Sequence, residues 1–129
     1  MPLIIRNEQL ETFRLLARKR FEDDMVAHVR TSYPDQYGPW GDAGTRELVR
    51  GAVRKGAALG ITARGAVAVL IELMVEVGRE FELSPERQWA HAVLANPELP
   101  GHVKVDVVQA RIRARTLGRK LVRHRSGMD

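Results

Sequence analysis

The chain has 129 residues, 44% of them apolar and 5% aromatic, with a net charge of +5 and no cysteine. That length is one domain's worth, with enough Val, Leu, Ile, Met and Ala for a core. The missing cysteines exclude disulfides, thiolate metal sites and cysteine nucleophiles together. The charge is unevenly placed. Residues 101–129 carry eight basic side chains against two acidic ones, whereas residues 1–100 carry thirteen against fourteen. All of the excess therefore belongs to the C-terminal segment.

The opening Met1-Pro2-Leu3-Ile4-Ile5-Arg6 is too short and too soon charged for a signal peptide, which makes a cytoplasmic location the expectation. Residues 3–6 read as a short extended lead-in. Asn7 then starts a long first helix, expected over 7–32, with Leu10, Phe13, Ala17, Phe21, Met25 and Val29 on one slowly drifting stripe. Arg14, Arg18, Lys19, Glu22 and Asp23 fall on the opposite, solvent-facing side.

Residues 33–42 hold two prolines, two glycines and three of the seven aromatics. Such a stretch reads as a breaker-rich loop, packed down by its own rings or offering them as a sticky surface. A second helix is expected over 44–59, with Leu48, Ala52 and Leu59 facing inward. Gly51 and Gly56 inside it lower its intrinsic stability by about 1 kcal/mol each relative to alanine, a sign of close approach or of slack structure.

The segment 62–81 organises the rest. Val67, Leu70, Ile71, Met74 and Val77 recur at steps of three and four, with Val69, Leu73 and Val75 on the flanks. A helix apolar on more than one face is wrapped by other helices or lies in a membrane. Arg64, Glu72, Glu76, Arg79 and Glu80 break it far short of the roughly 20 apolar residues that a span requires. It is therefore the expected central, buried helix, with Thr62 as its cap. Ser84-Pro85 starts a short helix over 85–95 that carries Trp89, Ala92 and Val93, because proline suits the first helical position. A last, basic helix over 102–122, reaching toward 125 and conceivable as a peripheral element, places Val105, Val108, Ile112 and Leu121 on one side. The expected fold is all-α, a single domain of about five helices.

No reactive constellation stands out. Asp24 and His28, four residues apart, form an acid–imidazole pair with spacing suited to proton transfer, and a plain helix-stabilising pair is the simpler reading. His28, His91, His102 and His124 show no HExxH pattern or paired spacing, so no metal, cofactor or catalytic site is expected. Gly38, Gly41 and Gly44 follow no strand and carry no nucleotide signature. Arg111, Arg115 and Arg119 lie along one face of the last helix, with Lys120 and Arg123 adding to the basic surface. Such a face can neutralise phosphates, but no aromatics interleave it in sequence, so a solvated face or an acidic protein partner is equally compatible.

The segments IIRNEQ at 4–9, RFEDDMVAHVR at 20–30, LGIT at 59–62, LIELMVEVGREFE at 70–82 and WAHAVLANPEL at 89–99 resemble a group of small all-helical bacterial proteins. That group is associated with type VI secretion effector clusters. The likeness spans residues 4–99 and rests on capping, core and turn residues; the arginine-rich C-terminus and the 33–42 segment depart from it. It implies a non-enzymatic accessory, a co-chaperone or adaptor-binding protein whose partner is an effector, adaptor or spike component. On the residues themselves, Tyr33, Tyr37, Trp40 and Trp89 are the expected partner contacts, since these rings lie in or beside breaker-rich segments. Self-association into a dimer is compatible with surplus apolar helix surface. A nucleic-acid-binding module using the C-terminal arginines is the runner-up.

Overall fold

The structure, a computed structural model, describes residues 7–126, with side chains as far as Gly118. The fold is all-α. Five α-helices follow one another: α1 Asn7–Ser32, α2 Pro34–Leu59, α3 Arg64–Glu76, α4 Gln88–Leu94 and α5 Gly101–Ser126, with short 3₁₀ turns at Phe81–Leu83 and Pro85–Arg87. No single helix among the described residues is long and apolar enough to cross a membrane. The expected extended lead-in at residues 3–6 lies outside the described residues, as do the side chains of Arg119, Lys120, Leu121 and Arg123. The chain forms two compact units, Met1–Gly51 and Ala52–Asp129.

In the first unit, α1 runs through the described residues from Asn7 to Ser32, and its buried face differs from the expected stripe. Met25, Val26 and Val29 are buried, whereas Phe13 and Ala17 are exposed. Glu22, expected on the solvent side, is only 4% exposed. The reason is electrostatic. Arg50 on α2 reaches Glu22 Oε1 at 2.8 Å, and Arg46 reaches the same oxygen at 3.4 Å and Asp23 Oδ1 at 2.7 Å. The hydrogen bond to Asp23 is the main reason that the Arg46 pKa lies above its ordinary value.

Residues 34–40 do not form the expected loop. Pro34 opens α2 at a position where a missing N–H costs nothing, and helical structure runs on past it. The break is confined to Gly41, whose φ of 65° and ψ of −174° only glycine adopts readily. Leu48 and Val49 then bury their side chains completely.

The second unit is built around the turn that ends α2. Gly60 takes a left-handed φ of 74°, and the Ile61 N–H donates to the Gly56 carbonyl at 2.7 Å. This six-to-one bond closes the helix end. Ile61 is fully buried. A Cβ on Gly56 would sit 2.4 Å from the Ile61 carbonyl oxygen, and one on Gly101 would sit 2.8 Å from the Gly60 oxygen. Both glycines are thus places where backbone meets backbone. Lys104, 3% exposed, completes the joint by donating from Nζ to the Leu59 carbonyl at 2.6 Å, where the helix dipole favours a cation.

The buried helix of the sequence reading is present as α3, shorter than 62–81 at both ends. Ala63 rather than Thr62 occupies its N-cap, without a side-chain cap bond, and Val77 closes its C-terminus ahead of Gly78, whose φ is 143°. Leu70, Ile71 and Leu73 are fully buried, and each contributes about 1.5–3 kcal/mol by leaving water. The chain then drops into 3₁₀ turns, held by Lys55. Its ammonium pairs with buried Glu82 at 2.6 Å and lies 5.8 Å from the Phe81 ring centroid.

In the short fourth helix the buried residues are Ala90 and Leu94; Ala92 is exposed and Val93 half-buried. The basic last helix is no peripheral appendage at its start. It packs on α3 and α4, and Val105 and Val108 are completely buried. Gln109 reaches Glu72 at 3.3 Å and Arg113 reaches Glu76 at 3.9 Å, fixing its rotation against α3.

Candidate functional site

Three of the four expected contact rings share the first unit. Tyr33, Tyr37 and Trp40 are all half-buried. Tyr33 continues the backbone ladder out of α1 through its N–H to the Val29 carbonyl, at 2.8 Å, and stands edge-on to His28 with centroids 6.1 Å apart. The Tyr37 hydroxyl donates to Asp42 Oδ1 across the Gly41 break. That bond is the main reason the phenol pKa is raised, with Arg30 opposing it. Trp40 lies against Gly44, where an added Cβ would come within 3.0 Å of the Trp40 Cβ.

Trp89 belongs to the second unit and to a different environment. The Arg111 guanidinium lies 4.3 Å from its ring centroid and that of Arg115 lies 5.2 Å away. Each such contact is worth about 0.5–1 kcal/mol at an exposed site. The arginine face therefore does carry an aromatic, supplied from α4 across space and invisible in the spacing of α5 alone. A niche of about 40 Å³ opens beside the stack, lined by Glu86, Arg87, Trp89, Ile112, Arg115 and Thr116. The indole Nε1–H is buried with no acceptor. Arg119, Lys120 and Arg123 of the expected basic face lie outside the described side chains.

The sequence pattern concealed one further surface. Within residues 7–20 only Leu10 is even half-buried, and Phe13, Leu15 and Leu16 are 70%, 62% and 63% exposed. Phe13 and Leu15 point about 200° apart at about 100° per residue, so no single stripe collects them. Spread around a charged helix, they blur the periodic signal by which such faces are found.

Asp24 is exposed and His28 half-buried, with His28 Nδ1 lying 3.4 Å from the Ser32 hydroxyl. Among the described residues no group of three or more His, Asp or Glu side chains converges as metal ligands would. The class that the fold defines is a small all-α protein. Beyond that class likeness adds nothing: no family model, no curated protein and no solved structure matches the chain.

Proposed function

We propose that the chain is a non-enzymatic module that works by binding another protein in the bacterial cytoplasm, with the N-terminal half of α1 as its docking element. The observation carrying this reading is the exposure of Phe13, Leu15 and Leu16 on a helix segment of which no residue is buried. Phe13 and Leu16, three residues apart, share one face of this charged helix, as anchors that insert into an apolar groove of a partner do. The half-buried Tyr33, Tyr37 and Trp40 extend the contact options of the same unit. The resemblance of residues 4–99 to type VI secretion accessory proteins makes effectors, adaptors and spike components the first partners to try.

Affinity capture from nuclease-treated extract of the native host tests this, comparing the native chain with a Phe13→Ser/Leu16→Ser variant and then reconstituting captured proteins in pure form. The expected result is a purified partner whose affinity falls about tenfold or more in the variant, at unchanged helicity. Identical binding by both chains would defeat the assignment of the docking element. Nucleic-acid binding remains the second reading, favoured by the Trp89–Arg111–Arg115 stack. Anisotropy with a labelled duplex separates it, because phosphate contacts weaken steeply with salt.

A further inference from the structure

The niche beside Trp89 has a composition that calls for an occupant of its own. Arg87 and Arg115 line it, Arg111 lies over the same indole, and Glu86 sets one negative charge against these three. Thr116 also lines the niche, with its hydroxyl donating to the Ile112 carbonyl at 3.0 Å. The surrounding unit is basic: residues 52–129 hold thirteen Lys and Arg against eight Asp and Glu.

We propose that this niche is a carboxylate-binding site through which an acidic peptide segment of a partner protein is recognised. The proposal deepens the protein-binding reading and rests on it, but on a separate surface from α1. Size favours a carboxylate. By the same measure one water needs about 10–15 Å³, so 40 Å³ suits a planar two-oxygen group. The donors also favour it, since the guanidinium forks of Arg87 and Arg115 each match the two oxygens of a carboxylate. Nucleic acid fits less well. Two guanidiniums already lie over the indole ring that a base would need as a stacking platform. Glu86, moreover, opposes the doubled charge of a phosphate monoester more than the single charge of a carboxylate.

Fluorescence anisotropy on the full chain provides the test, using fluorescein-labelled peptides. One has Glu-Ser repeats and an amidated end, a second has Gln-Ser repeats with a free C-terminal carboxylate, and a third has Gln-Ser repeats with an amidated end. A labelled DNA duplex completes the set. The first or second peptide should bind and the third should not; which of the two binds identifies the source as side chains or a chain terminus. Arg87→Gln and Arg115→Gln, each of which removes a guanidinium from the niche lining, should each weaken binding by about tenfold. Arg113→Gln, facing Glu76 instead of the niche, should change it by no more than about twofold. Arg115 is exposed, so its variant keeps the test valid if Arg87→Gln perturbs the fold. The proposal is overturned if no carboxylate peptide binds, if the uncharged peptide binds equally, or if both niche variants retain native affinity. It is also overturned if the duplex binds more tightly than either carboxylate peptide. Failure here leaves the α1 docking experiment untouched, and the reverse holds too.

Discussion

Replacing Gly56 by alanine should destabilise the protein, against the usual rule for a helix. In an open helix the change would stabilise by about 1 kcal/mol, since glycine loses more backbone freedom on folding. Here the new Cβ would lie 2.4 Å from the Ile61 carbonyl oxygen, about 1 Å inside ordinary van der Waals contact at 3.4 Å. The neighbour is backbone in a tight turn and cannot rotate away. Relief requires moving the turn, which stretches the 2.7 Å bond from the Ile61 N–H to the Gly56 carbonyl and displaces a fully buried isoleucine. Overpacking of this kind costs about 1–3 kcal/mol and weakening the hydrogen bond about 0.5–1.5 kcal/mol. Set against the propensity gain, the expected net loss is about 1–3 kcal/mol. Urea unfolding followed by far-ultraviolet circular dichroism measures it as a lower midpoint at unchanged slope. Gly118→Ala supplies the control: nothing lies within 4 Å of its added Cβ, so it should be neutral or stabilise by up to about 1 kcal/mol. A Gly56→Ala protein as stable as the native chain would refute the close approach between α2's end and the Ile61 turn.

Two further perturbations address charge. Lys55→Ala strands Glu82, whose side chain is 7% exposed, and should cost about 3–5 kcal/mol; adding Glu82→Leu to a Lys55→Met background should recover most of it, as chemical unfolding would show. In a Tyr33→Phe background, phenolate absorbance should show Tyr37 titrating above the ordinary value near 10, and Asp42→Asn should bring it back. Because the folded phenol has the raised pKa, the stability from the Tyr37–Asp42 bond is present below the unfolded pKa. It is lost as pH climbs through the folded one. A native-like Tyr37 titration in the Asp42→Asn protein would contradict that cause.

The helical class was legible because periodicity is local and the first helix has no breaker within it. Leu70 and Ile71 announced their burial through unbroken apolar neighbours in a chain otherwise rich in charge. The Pro34–Trp40 segment misled for a physical reason. Proline and glycine mark where a helix can start or break, but not how long the interruption lasts, and here one glycine was enough. Glu22 misled because its burial depends on Arg46 and Arg50, more than twenty residues away in sequence. The Trp89 stack was hidden for the same reason: its ring and its two guanidiniums sit on separate helices. As for Phe13, Leu15 and Leu16, spacing can show that a helix carries apolar residues but not that its neighbours stop short of them.

Amide hydrogen exchange across residues 7–20, read in the free protein and again with the reconstituted partner, tests the binding account most directly. These amides should exchange far faster than those of α3 in the dilute free protein, and become protected when the partner is added. Protection already present in the dilute free chain, or a partner that slows exchange only elsewhere, would contradict it.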